Sequence, residues 1–181
     1  MRDTEERSVA RRELALPVTD IDPQSRRPAL VLGLGNILLR DEGVGVRVIE
    51  ALKELDMPPN VELCDGGTAG ADLLDVLADR EKVIVIDAVA GELPPGAVVR
   101  LTAEDLAPAR EPSVSLHDFG LAETLALTRQ IKAEPKEIVI IGVRPHIVEC
   151  GLELAPETRL LVPRIVDLVL RELDPEQSEE A

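Results

Sequence analysis

Four acidic residues and one histidine stand where side chains can do chemistry. Asp41 and Glu42 are adjacent, between two glycine pairs, in Gly33-Leu-Gly-Asn-Ile-Leu-Leu-Arg-Asp-Glu-Gly-Val-Gly45. Asp65 opens the glycine-rich run 65–70, Asp87 closes the apolar run Val-Ile-Val-Ile-Asp (83–87), and His117 precedes Asp-Phe-Gly-Leu (118–121). An imidazole with carboxylates from separate segments is a donor set for a borderline divalent ion such as Ni²⁺ or Zn²⁺. Each residue alone has a plainer reading. Asp and Glu at a helix start favour the positive end of the helix dipole, an Asp ending a buried strand often braces a loop, and a lone loop histidine is ordinary. His146, in Val-Arg-Pro-His (143–146), is given no role. Chemistry depends on convergence: two carboxylates from different strand ends and His117 from a third loop, meeting in one cleft.

Convergence needs a frame that carries distant segments to one edge. Ala-Leu-Val-Leu-Gly (29–33) is a short apolar run ending in glycine, the pattern of a strand buried on both faces. Gly43 and Gly45 precede a helix in which Val48, Ile49, Leu52 and Leu55 recur at helical spacing, stopped by Met-Pro-Pro-Asn (57–60). Residues 61–64 read as a second strand, with a helix at Leu73, Leu74 and Leu77, and 83–87 is the clearest buried strand. Alternating strands and helices imply right-handed crossovers and a parallel sheet. Beyond them, 97–101 alternates like an edge strand, and Thr102 with Asp105 fits a capping box. Residues 108–115 read as loop, 118–128 as helix, 138–143 as another buried strand and 156–170 as the last helix, with Pro163 predicting a kink or restart. The expected fold is therefore α/β: a three-layer sandwich with a mainly parallel twisted sheet of about five strands and helices on both faces. It occupies 29–173, between a flexible leader (1–28) and an acidic tail (174–181). In such sheets ligands collect beyond the C-terminal strand ends, where the residues above fall.

Composition narrows the function. The core must be aliphatic, since Phe119 is the only aromatic residue among 181. A net charge of −15 argues against nucleic acid and anionic membranes as partners. No apolar run reaches the roughly 20 residues of a membrane helix, and residues 1–12 lack the apolar stretch of a secretory signal, so a cytoplasmic protein is expected. Cys64 and Cys150 match no zinc spacing and read as two small buried thiols. A dinucleotide turn fits poorly: Gly33-Leu-Gly35 lacks the third glycine, Leu38 standing there, and the Asp41-Glu42 pair repels a pyrophosphate. No organic cofactor is expected. Ser113 and Ser115 lie near His117 without a nucleophile-elbow pattern, so covalent catalysis is disfavoured.

Taken in order, residues 32–45, 65–70, 86–88, 117–121 and 149–157 resemble the hydrogenase maturation endopeptidases, over about 29–173. Ala155 stands where many members have Ser, and the leader before Ala29 is a departure. The resemblance implies an endopeptidase that removes the C-terminal extension of a nickel-containing hydrogenase large-subunit precursor, of aspartic or metal-dependent type. The Glu, Asp and His that recognise nickel in that family correspond to Glu42, Asp87 and His117, the metal ion arriving with the substrate. These three, with Asp41, are the expected catalytic residues, and Asp41 and Asp65 would act as outer groups that orient ligands or accept a proton. Two other readings compete: a non-catalytic nickel-binding assembly chaperone, and a self-contained zinc peptidase.

Overall fold

A computed structural model describes residues 29–69, 73–105, 121, 124–126 and 128–174. The leader, the loop with Ser113 and Ser115, His117, Phe119 and the tail beyond Asp174 lie outside the described residues.

Five apolar segments form the sheet: β1 (Ala29–Leu34), β2 (Val61–Gly67), β3 (Lys82–Ala88), β4 (Val98–Thr102) and β5 (Glu137–Val143). Their order is β2-β1-β3-β5-β4, parallel throughout except for β4, which runs antiparallel to β5. Helices α1 (Val44–Lys53), α2 (Leu73–Leu77) and α3 (Pro156–Leu173) complete the named elements. Strand alternation sorts the core into two layers. Val31, Ile84, Ile86, Val139 and Ile141 pack with α1 and α3 on one face. Leu30, Leu32, Val83, Val85 and Ile140 pack with α2, Leu121 and Leu125 on the other. Burying each such aliphatic side chain contributes about 1.5–3 kcal/mol, so the strands hold their register without aromatic residues. The expected architecture is the observed one.

Three boundaries differ. Gly45 lies inside α1 rather than before it, and α1 ends at Lys53, soon after Leu52, its last buried residue; Leu55 is exposed. The second strand runs on through Asp65 to Gly67, with a register shift where Leu34 pairs with Gly67. The last helix continues through Pro163 to Leu173 as one element. Pro163 removes one helical N–H, and Arg159 and Pro163 are both exposed, so the loss falls on the solvent face of the helix. The Thr102–Asp105 turn is capped as expected, the Thr102 backbone N–H donating to Asp105 Oδ2 at 2.7 Å.

The order of connections fixes where a site can open. From β1 the chain moves outward to β2, whereas from β3 it moves the opposite way to β4 and β5. Loops leaving β1 and β3 therefore diverge, and a crevice forms between their C-terminal ends.

Candidate active site

Glycines seat the first helix directly on that crevice. A Cβ at Gly45 would overlap the carbonyl oxygens of Leu34 and Ile86, the carbonyls at the ends of β1 and β3. One at Gly35, where φ is +127°, would overlap the carbonyl of Glu42. The chain between them closes as a 3-10 turn, Arg40–Gly43, packed against β3. No larger residue allows this approach, so the glycine pattern around Asp41-Glu42 is a packing requirement that sets those two carboxylates at the switch point.

The adjacent carboxylates then part company. Asp41 is fully buried (0% exposed). Its Oδ1 accepts from the Ala155 backbone N–H at 2.7 Å, and its Oδ2 from the Thr158 hydroxyl at 2.7 Å and the His146 and Ile147 N–H groups at 3.0 and 3.1 Å. Burial alone would raise its pKa, but the hydrogen bonds from Thr158, Ala155, Ile147 and His146 together hold it below the ordinary carboxylate value. Glu42 instead lines a cleft of about 360 Å³ with Ala88, Val89, Ala90, Gly91, Arg144, Pro145 and Val148.

Asp87, the penultimate residue of β3, is 3% exposed, and its Oδ1 accepts from the Ala88 N–H at 2.8 Å. Its neighbour Ala88, not Asp87 itself, forms the cleft wall. Glu42 and Asp87 are thus brought to the same strand-end junction, while His117 lies outside the described residues. Among the described residues no group of three His, Cys, Asp or Glu side chains is close enough to hold a metal ion. Asp65 is set apart: it is exposed and its Oδ1 accepts from the Gly67 N–H at 2.9 Å, a local turn. The cysteines are corrected. Both are free, but Cys64 is only half-buried and Cys150 is exposed, because β2 is an edge strand and residue 150 sits in a surface loop. Burial, and then the charges of Glu62 and Asp65, push the Cys64 thiol up.

Two features had escaped the sequence. The loop after β5 is stitched to the loop after β1 by Arg40 N–H to Gly151 O, Gly151 N–H to Leu38 O and Asp41 N–H to Ile147 O. Arg40 takes a positive φ of 53° there, its guanidinium reaching Glu149 and the Glu153 carbonyl. His146 belongs to this lock: its Nδ1 lies 3.0 Å from the Thr158 hydroxyl, itself bonded to Asp41. The second feature is Arg144, which the end of β5 brings to the cleft. Its place directly after a buried parallel strand was the available signal, the position that Asp87 flanks at the end of β3.

With this geometry in hand, comparison with known proteins is decisive. Residues 46–172 match the family model described as hydrogenase maturation protease. The hydrogenase 2 maturation protease of Escherichia coli is 38% identical over 146 residues, 80% of this chain and 89% of that protein. This chain belongs to the hydrogenase maturation protease family. Among solved structures, the hydrogenase maturating endopeptidase HybD of E. coli superposes with a TM-score of 0.76 at 35% identity, covering 82% of this chain and 93% of that one. The hydrogenase 2 maturation peptidase of a Thaumarchaeota archaeon gives 0.61 at 37% identity, covering 82% and 99%. As a maturation protease the chain is a peptidase. No helix among the described residues is long and apolar enough to cross a membrane.

Proposed function

We propose that this peptidase removes the C-terminal extension of a nickel-containing hydrogenase large-subunit precursor, and that Glu42, Asp87 and His117 engage nickel carried by the substrate. The reading is supported chiefly by the position of Glu42: its turn is pinned where α1 meets the ends of β1 and β3, on a cleft that Ala88, next to Asp87, also lines. Peptide hydrolysis needs a polarised carbonyl and an activated water, and a divalent ion in the substrate beside the cut supplies either. Two carboxylates and an imidazole are donors such an ion accepts with positions left open. Because the ion comes with the substrate, a precursor lacking nickel would be held weakly, so cleavage waits for metal insertion. Asp41 enters as a positioning residue: it ties the Glu42 turn to the loop after β5. The acting localisation is the cytoplasm.

The test is incubation with nickel-loaded and nickel-free precursor, followed by mass spectrometry. Loss of a C-terminal peptide from the nickel-loaded form alone is expected, with no loss when Glu42, Asp87 or His117 is Ala. Equal cleavage of both forms would remove the nickel dependence; binding without cleavage would point to a chaperone.

A further inference from the structure

Arg144 is an anomaly in this chain. Acidic residues outnumber Lys and Arg by 35 to 20, so partners are plentiful. Arg40, Arg47, Arg80, Arg100, Arg129 and Arg159 each hold a carboxylate within 4 Å. Arg164 and Arg171, which hold none among the described residues, are exposed. Arg144 is half-buried, and among the described residues it forms no ion pair and its buried Nε has no acceptor. Among the described residues its one side-chain hydrogen bond is a long contact of 3.4 Å from Nη1 to the Val89 carbonyl.

An N–H kept from water without an acceptor is costly. Flexibility does not explain it, because the backbone is fixed on both sides: Arg144 N–H donates to Ala97 O, and Gly96 N–H to Arg144 O, each at 2.8 Å. Gly96, at φ +80°, also meets the His146 ring, two residues further on. The side chain therefore stands at a set place in the cleft wall, among Val89, Ala90, Pro145 and Val148, facing the space that Glu42 also lines. Apolar walls strengthen any charge-assisted bond made there.

We propose that Arg144 is a substrate-binding residue whose guanidinium takes an oxygen acceptor of the precursor chain beside the scissile bond, either a backbone carbonyl or a side-chain carboxylate. This rests on the reading of the cleft as the proteolytic site. The planar fork of donors orients the chain in the cleft that Glu42 also lines, so the residue sets specificity and touches no reacting atom. Lysine, a point charge on a flexible stem, would not reproduce it.

The test uses the full chain and the nickel-loaded large-subunit precursor, measuring binding and cleavage in parallel. Arg144→Met is expected to weaken binding and lower kcat/KM by about tenfold to a hundredfold, the value of one or two charge-assisted bonds. Arg144→Lys should recover only a small part, and millimolar guanidinium should partly rescue Arg144→Ala, which a merely structural role would not allow. If neutralising the acidic residues flanking the cut reproduces the Arg144→Met loss and adds nothing to it, the acceptor is a carboxylate. If the full Arg144 dependence survives that neutralisation, the acceptor is a carbonyl. Unchanged binding and kcat/KM in a folded Arg144→Met protein would overturn the assignment while leaving the proteolytic reading intact. Wild-type binding without cleavage would remove the proteolytic reading, and Arg144 would then stand or fall on the binding ratio. No wild-type binding would remove both.

Discussion

After β1 the chain runs through Gly35, Asp41 and Glu42 into α1, which holds Gly45; β2 ends in Asp65, Gly66 and Gly67 and leaves by Thr68 towards α2. The residue types are nearly the same. In the first junction a Cβ at Gly35 or Gly45 would overlap backbone carbonyls, whereas one at Gly67 would find nothing nearer than Asp65 Oδ1 at 3.8 Å. Asp41 gathers four hydrogen bonds from residues 105 to 117 positions away; Asp65 is bonded by an N–H two residues on. The difference comes from topology. β1 lies inside the sheet with the switch point beside it, so its loop is packed from several sides, while β2 is an edge strand whose loop has solvent as a neighbour. Asp and Gly together mark a strand end, and the neighbouring strands decide whether that end becomes a locked site or an ordinary turn.

Breaking the first junction should cost most. Asp41→Ala would leave the Ala155, His146 and Ile147 N–H groups and the Thr158 hydroxyl without their acceptor, a loss on the order of 3 kcal/mol or more, read as a lowered midpoint in urea unfolding. The carboxylate's pKa is lower in the folded than in the unfolded chain. Its contribution is therefore complete above the unfolded value and is lost as pH falls through the folded one, below about pH 4. Thermal melting from pH 7 to 3 should show a steep acid limb in the wild type and a shallower one in Asp41→Ala. Equal slopes would show that Asp41 carries no such linkage.

The glycine contrast comes next. Gly45→Ala must push α1 away from the ends of β1 and β3, at roughly 2 kcal/mol or more, and should lower peptidase activity because the Glu42 turn moves with the helix. Gly67→Ala bears only a left-handed backbone at φ +48° with open space around it, about 1 kcal/mol. Similar losses at the two positions, measured by urea titration, would mean that the tight seating of α1 is not what distinguishes the junctions. Glu42→Gln keeps the shape of a half-buried side chain on the cleft wall and removes only its charge, so stability should stay within about 1 kcal/mol of wild type while cleavage collapses.

How far the sequence could be read follows the same division. The buried strands announced themselves because 83–86 and 138–141 are unbroken aliphatic runs, and α1 because Val48, Ile49 and Leu52 recur at helical spacing. Glu42 was legible through its fixed place among glycines. The partners of Asp41 were not, since His146, Ala155 and Thr158 lie more than 100 residues away and carry no periodic signal. Arg144 was hidden for a related reason: an arginine after a strand looks like a solvated end until the sheet order shows which ends face the cleft. Cys150 was misjudged because a small thiol is usually buried, whereas the loop after β5 leaves this one exposed.

The smallest effect expected is at Asp65. Its carboxylate is exposed and serves a turn that Gly67 can adopt without it, so Asp65→Ala should change stability by less than about 1 kcal/mol. Activity is the sharper measurement. If Asp65 only shapes a turn on an edge strand, kcat/KM for the nickel-loaded precursor should remain within a fewfold of wild type. A collapse in kcat with stability unchanged would show that the β2 junction reaches the reacting groups after all. Proximity to the switch point would then not be what makes a strand-end carboxylate functional in this fold.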